Sequence, residues 1–587
     1  MSYLTKQQVQ AVANSILSGF NRHFSLFRSI SAKAKYLFEN QKWAEIQKIT
    51  TDRIRMYDDR VAETVTKLKE NFSANVLNDT IWKEVKLAYS LLLINHKQPE
   101  LAETFFNSVS NKILDKDYYH NELIYLKPTI STEYIQSDVG TFNSFYPAHG
   151  GLHQVIKDIL LHFDWKNAFA DIKQDIQNIL EAGHAYLRDK WASNELNLHV
   201  EVLHSPFYRN KCAYVIGQII NGNDKYPFCL AVVHNAKKEL VVDTALFSPK
   251  VISALFSFSR AYFLVELDVP SGYVSFLKQL LPMRDKADFY AMLGLHKQSK
   301  NIFFREFTAH LHTSSDSFIL APGIKGMVMV VFTLPSFPYV FKVIRDQFGP
   351  NKNFGPDYVR KKYELVKKHD RVGRLADTLE YSNVAIPLAR CDEILLKELK
   401  ELAPSSFEIR ADILLIKHVY IERRLKPLNL IMKTASFEER KQLIIEYGNT
   451  IKDLAKANIF PGDMLYKNFG ITRYEKLIFY DYDEIEYMTE CNFRSIPTPP
   501  NPEYELSNEA WYPVEPRDVF PEEFANFLLN DPEIRQVFLE YHQDLLTPEF
   551  WQKKKDNILA GIVEDFFPYP DQLRFVLNDK QKGQLVK

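Results

Sequence analysis

The amino-acid sequence predicts an α+β protein in two parts: residues 1–315, mostly helical with a small sheet near 199–268, and residues 316–587, opening on strands and ending in a helical tail. Three observations carry that reading. Apolar residues recur at helical spacing through roughly the first two hundred positions. Short β-branched runs broken by turn-forming pieces replace them from about His199 to Asp268. A second strand-rich stretch begins near Phe318 and places a domain start just before it.

From Gln7 to about Phe72, Val9, Val12, Ile16, Phe20, Phe24 and Phe27 mark one face of the first of several helices in series. The same texture continues in TIWKEVKLAYSLLL, LAETFFNSVSNKILD, LHQVIKDILLHF and DIKQDIQNILEAGHAYL. HVEVLHS, KCAYVIGQII, PFCLAVVH and ELVVDTAL then read as strands, with NGND and HNAKK as turns. In the second part MVMVVFTL and YVFKVIRD flank PSFP as a β-hairpin. A loop (FGPNKNFGP), a charged helix (DYVRKKYELVKKHD) and a strand (HVYIERRL) follow. A helix opens near Phe437, with Ser436 and Glu439 in capping-box spacing and Leu443, Ile444, Tyr447, Ile451 and Leu454 on its inner face. Pro461 and Gly462 are expected to stop it; the strand KLIFYDYDE and the Pro-rich PTPPNPEYE come next.

Composition narrows the function classes. The 587 residues are 46% hydrophobic and 25% charged, so the chain is a folded globular protein. Lys plus Arg total 73 against 74 for Asp plus Glu, which removes any global pull toward nucleic acid or an anionic membrane. The longest strongly apolar run, Met327 to Leu334, is far short of the roughly 20 residues a spanning helix needs. Four cysteines without a C-x-x-C pair favour neither a disulfide scaffold nor a thiolate zinc site, and the N-terminus lacks the pattern of a secretory signal. A reducing cytoplasm is the expected compartment.

Asn458 to Glu484 is the most informative segment. Asp463 is followed by Asn468 five positions on, and Asp481 lies thirteen positions after Asn468 at the end of an apolar strand. This is the spacing of the catalytic loop and metal-binding segment of protein kinases, where one Asp orients the attacking hydroxyl and accepts its proton while an Asn and a second Asp hold magnesium. Asp453 and Asn458 share the first spacing, but Ile471 then stands where the second metal ligand belongs. Upstream, Gly323 and Gly326 allow close backbone approach to phosphates, and Lys342 sits sixteen residues after Gly326 in an apolar strand. The order of loop, Lys and carboxylates predicts a bilobal protein-kinase-like domain, with adenine contacted through backbone around Glu422 and Arg423. Gly217 and Gly222 have phosphate-loop spacing, but Asn223 and Asp224 follow them, so they read as a turn in the first sheet. His149 and His153 have no acidic partner for a metal, and His369, Asp370 and Arg371 read as the end of the charged helix.

FFNSV, FYRNK, LAPGIKGMVM, VFKVI, KHDRVGRLADT, YIERR, NIFPGDML, KNFG, FYDYDEI and YMTE, as an ordered set, resemble the bacterial isocitrate dehydrogenase kinase/phosphatase family over nearly the whole chain. The resemblance implies a regulatory domain in 1–315 and a catalytic one in 316–587. It implies phosphorylation of a serine of NADP-dependent isocitrate dehydrogenase and its removal at one site using ATP or ADP and magnesium, switching flux between the citric acid cycle and the glyoxylate bypass. The family's nucleotide loop falls on Ala321, Pro322, Gly323, Ile324, Lys325, Gly326 and Met327, its ATP-binding Lys on Lys342, its active-site Asp on Asp377, and the base and metal ligands on Asp463, Asn468 and Asp481. From the residues alone Asp377 reads as a helix-end acid, and its chemical role stays open. AMP is the implied effector, with FFNSV and GLHKQSK as its place, and FGPNKNFGP is the loop that would reach into the partner's cleft. PGD replaces His-Arg-Asp, and Tyr482 and Asp483 follow Asp481 instead of Phe-Gly, which argues against control by loop phosphorylation. Two other classes stay open: a kinase for another protein or metabolite, and a non-catalytic nucleotide-binding regulator. A homodimer is one of the arrangements the sequence leaves open.

Overall fold

The computed structural model describes residues 5–72, 79–114, 122–133, 135, 140–147, 150–191, 193–256, 263–349, 354–369, 371–498, 511–529 and 531–575. Two compact units form. The first takes the described residues up to 256, 263–313 and 567–575; the second takes those of 314–566.

The first unit begins with helices α1 (Lys6–Glu39), α2 (Trp43–Phe72), α3 (Asp79–Leu93) and α4 (Pro99–Leu114). Thr5 caps α1 in a reciprocal box with Gln8, and Val9, Val12, Ile16, Phe20, Phe24 and Phe27 are all buried, the face expected from their spacing. Strand β1 (Phe142–Phe145) and helices α5 (Gly151–His162) and α6 (Ile172–Leu187) precede β2 (His199–Leu203), β3 (Phe207–Arg209), β4 (Cys212–Asn221), β5 (Asp224–His234) and β6 (Leu240–Leu246). The sheet runs β1-β2-β4-β5-β6, with β3 on β4. Along β4, Cys212, Tyr214 and Ile216 join the core of α1–α4, whereas Ala213 and Val215 join Val155 and Ile159 of α5 and Ile176 and Ile179 of α6. Burial on both faces is why these strands read as continuous apolar runs. Gly222 sits in the β4–β5 turn as expected; Gly217 instead lies inside β4, paired with Val202 and Phe228. Helices α7 (Pro249–Leu255), α8 (Pro270–Leu280), α9 (Lys286–Met292) and α10 (His296–Thr313) complete the unit.

The end of the chain also packs here. Tyr569 donates to Asp243 Oδ2 at 2.7 Å, Arg574 donates to both Asp243 oxygens at 2.9 and 3.2 Å, and Thr244 donates to the Leu573 carbonyl at 2.7 Å. Asp243 on β6 is fully buried, and a carboxylate in such a place requires a cation and hydrogen bonds. The stretch expected as part of a continuous second domain therefore leaves it after Phe566.

The second unit opens with β7 (Ile319–Leu320), β8 (Met329–Thr333), β9 (Tyr339–Ile344), helix α11 (Pro356–His369), β10 (Thr378–Pro387), helix α12 (Glu393–Leu402), β11 (Phe407–Arg410) and β12 (Ile413–Arg423). Their sheet is antiparallel in the order β10-β12-β9-β8-β7, with β11 on β12, and β8 and β9 form the expected hairpin. A largely helical part follows: β13 (Lys426–Pro427), α13 (Leu428–Ile431), α14 (Phe437–Lys456), β14 (Ile459–Phe460), β15 (Phe469–Ile471), β16 (Leu477–Phe479), β17 (Glu486–Tyr487), α15 (Phe524–Leu528), α16 (Pro532–His542) and α17 (Pro548–Leu559). Ser436 and Glu439 form the capping box of α14, and Ile444, Tyr447, Ile451 and Leu454 are buried, with Leu443 only partly so. The helix stops earlier than Pro461. The Ala457 N–H closes it on the Asp453 carbonyl, and Asn458 takes a left-handed φ of 63° that ends the helix as a C-terminal Asn can.

Candidate active site

The loop carrying Asp463 is set by two short pairings. β14 pairs with β17, Ile459 opposite Tyr487 and Phe460 opposite Glu486. Between them Gly462 turns the chain at a φ of 77°, where an added Cβ would stand 2.3 Å from the Glu484 carbonyl oxygen. Only glycine fits that approach. Asp463 then emerges with Oδ1 accepting the Leu465 N–H at 2.9 Å and Oδ2 at 3.4 Å from Lys467 Nζ. One 3-10 turn, Tyr466–Asn468, brings Asn468 back, and its Nδ2 donates to the Asp463 carbonyl at 3.1 Å.

The second pairing explains the thirteen-residue spacing. β15 and β16 form a hairpin with Phe469 opposite Phe479, and the Tyr480 N–H donates to the Asn468 carbonyl at 3.0 Å. Asp481 follows directly after Tyr480, at the mouth of this hairpin. Burial and the neighbouring Asp483 carboxylate push Asp481 up to about 7, Asp463 adds to the rise, and Lys342 opposes it.

Lys342 reaches the same place from β9. Its Nζ lies 2.7 Å from Glu422 Oε2 and donates to the Tyr480 carbonyl at 3.0 Å. Glu422, 2% exposed, accepts from Thr378 Oγ1 at 2.9 Å through its other oxygen. Burial raises the Glu422 carboxyl while Lys342 holds it down. Asp377, half-buried, directly precedes Thr378; its charge is felt at Glu422, and the Ala376 N–H donates to the Phe479 carbonyl at 3.1 Å. The Tyr482 hydroxyl donates to the Ala376 carbonyl at 2.9 Å, tying the RLADT segment to the Asp481 strand.

Lys342, Asp377, Asp463, Asn468 and Asp481 thus converge. Ala321–Met327 forms an exposed loop between β7 and β8, fastened by the Ala321 N–H on the Val331 carbonyl at 2.9 Å, with Gly323 at a φ of 125°. Lys325 turns to Glu398 of α12, at 2.5 Å. In FGPNKNFGP, residues 350–353 lie outside the described residues, as does His149. Sequence reasoning missed the side chain of Glu422, which meets Lys342 besides whatever its backbone contacts; a lone acid in an apolar strand was the signal. It read Asp483 only as a departure from the kinase pattern, although its carboxylate raises Asp481.

The donor set suits magnesium. Among the described residues no group of three or more His, Cys, Asp or Glu closes into a dedicated metal cage. Magnesium takes one or two carboxylates and leaves its other positions to neutral oxygens, water and phosphate; Asp481 supplies one carboxylate and Asn468 an amide oxygen. Repulsion among Asp481, Asp483 and Asp463 is relieved when a divalent cation neutralises them.

Family models match the chain in two consecutive pieces: the isocitrate dehydrogenase kinase/phosphatase (AceK) regulatory domain over residues 13–315 and the kinase domain of the same family over 316–571. The chain belongs to the isocitrate dehydrogenase kinase/phosphatase family. Proteins of that name from Azoarcus sp., Aromatoleum aromaticum and Dechloromonas aromatica are 54%, 52% and 51% identical to it, each match covering 96% of both chains. The expected regulatory and kinase domains are therefore present, and all five convergent residues lie in the kinase domain, which uses ATP with magnesium. Among the described residues no helix is long and apolar enough to cross a membrane.

Proposed function

We propose that this chain phosphorylates a serine of NADP-dependent isocitrate dehydrogenase and removes that phosphate at one nucleotide-dependent site, directing flux between the citric acid cycle and the glyoxylate bypass. The observation that carries the proposal is the convergence of Lys342, Asp463, Asn468 and Asp481 in the kinase domain of a chain 54% identical to a relative bearing that name. Bound magnesium supplies charge neutralisation at the phosphates. Asn468 and Asp481 hold it, Lys342 binds phosphate oxygens, and the exposed Ala321–Met327 loop covers the phosphates with its backbone N–H groups. Asp463 accepts the proton of the attacking serine hydroxyl. In the reverse direction the same groups align phosphoserine with water or ADP, because the protein contributes alignment and charge more than covalent chemistry. Asp377, next to Thr378, lies on the Glu422 side of the site, where its charge is felt.

AMP is the regulatory ligand in this reading. Thr104, the residue just before FFNSV on α4, donates to Gln298 of GLHKQSK and accepts from Asn301 Nδ2, just past that motif, at 2.7 Å. That contact supports placing the two segments that carry the motifs side by side. The enzyme acts in the cytoplasm, beside its dehydrogenase and nucleotide substrates.

The test incubates the protein with magnesium, labelled ATP and the dehydrogenase, then chases with unlabelled ADP and AMP, with Asp463→Ala in parallel. Label entering the dehydrogenase with wild type only, and leaving in the chase, is expected. ATP binding without transfer would overturn the proposal.

A further inference from the structure

In kinases that are switched by a helix, the phosphate-binding lysine takes its carboxylate partner from that helix, and helix movement makes or breaks the pair. The helix after the lysine strand here is α11, and its carboxylates go elsewhere. Asp357 pairs with Arg360 of its own helix at 2.6 Å. Glu364 is exposed, and its charge is felt at Tyr487. The buried side of α11 is the row Val359, Tyr363 and Val366 together with Lys362, whose ammonium pairs with Glu486 of β17 at 2.5 Å.

The partner of Lys342 comes from the sheet. On β12, Tyr420 stands opposite Lys342 and Glu422 opposite Val340, so Glu422 is the same-face diagonal neighbour of Lys342. That separation is within reach of two long side chains. Both Glu422 oxygens are used, Oε2 by Lys342 and Oε1 by Thr378 of β10, directly across the next pairing. Three adjacent strands therefore hold the ammonium. Its second donor goes to the Tyr480 carbonyl, in a residue whose own N–H is bound by Asn468. One of its three N–H groups is left for phosphate.

We propose that Glu422 is a positioning residue for phosphoryl transfer, holding Lys342 from the sheet so that the site stays assembled without α11 as its gate. The inference rests on the reading of Lys342 as the phosphate ligand. Control of the two activities then acts through something other than making and breaking this ion pair, which suits a site that must stay intact in both directions.

The test uses the full chain with isocitrate dehydrogenase and its phosphorylated form, and measures kcat and KM for ATP in both directions. Glu422→Gln lowers kcat about 10²-fold, the cost of misplacing a reacting group by about 1 Å, with a much smaller change in ATP KM. Glu422→Asp recovers part of that loss, and Glu364→Gln stays within about twofold of wild type. Thr378→Val keeps the charge pair while removing one of its anchors and lowers kcat by a smaller factor; if Glu422→Gln does not fold, this variant carries the test, and unchanged kcat would overturn the proposal. Full activity of Glu422→Gln, or an equal loss in Glu364→Gln, would also overturn it. Lys342→Met separates the two readings: if it is active, the reading of the site fails, whereas an inactive Lys342→Met beside an active Glu422→Gln sinks the positioning role alone.

Discussion

Each unit buries a carboxylate on a strand and pairs it with one cation, yet the two pairs serve different ends. Asp243 in the first unit takes Arg574 on both oxygens and the Tyr569 hydroxyl besides, and is fully buried. Glu422 in the second unit takes Lys342, whose ammonium points on toward Asp481 and keeps a donor in hand. A rigid guanidinium fork matched to a carboxylate closes a structural joint, whereas an ammonium with three rotatable donors can be held by two groups and still offer a third. Saturation, more than burial, separates a clasp from a working site. Glu100 on α4 is the contrasting case: buried, and with no cation paired to it among the described residues, it has the Tyr290 hydroxyl at 3.3 Å, and burial pushes its carboxyl up to about 7.

The sharpest break in the comparison is Lys342→Met. Transfer in both directions should fall by about 10³-fold or more, since the phosphate loses its fixed cation in a water-poor site. Stability should change far less, because Glu422, already raised by burial, can take a proton. Melting curves with single-turnover rates check both halves, and a large stability loss would count against the contrast. Next comes Arg574→Ala. It strands the Asp243 charge, and the first unit should lose about 3 to 5 kcal/mol in denaturant unfolding. A loss below about 1 kcal/mol would show that the tail is not the required partner.

Glu100 sharpens the point through pH. Its carboxyl titrates at about 7 in the folded chain against 4.5 ordinarily, so the folded state binds the extra proton between those values. Stability should therefore fall as pH rises from 4.5 to 7, by about 3 kcal/mol, and stay low above that window. Glu100→Gln should flatten this slope, and an unchanged slope in the variant would assign it to other groups. The smallest effect is expected at Gly462→Ala. A Cβ at 2.3 Å from a backbone oxygen with φ at 77° should cost about 1 to 2 kcal/mol and slow transfer by displacing Asp463, read as a lower kcat with nucleotide affinity kept.

Features settled within a few residues of one another were legible beforehand. The α14 capping box, the buried row of α1 and the β8–β9 hairpin each depend on local spacing, and each is present. The end of α14 was less so, since Pro461 is a strong breaker in any sequence while the left-handed Asn458 shows only in three dimensions. Gly217 read as a turn because a glycine within an apolar run carries no sign of which strands will flank it.

Spacing by itself placed Asp463, Asn468 and Asp481 at one point, because a short turn and a tight hairpin leave the backbone few ways to separate them. It also ordered the loop, the lysine and the carboxylates along the chain. Tertiary structure decided which acid meets Lys342, since Glu422 lies eighty residues away and only the register between β9 and β12 makes the two neighbours. It likewise decided that residues 567–575 rejoin the first unit, because a buried carboxylate on β6 needs a cation and the end of the chain is where that cation lies.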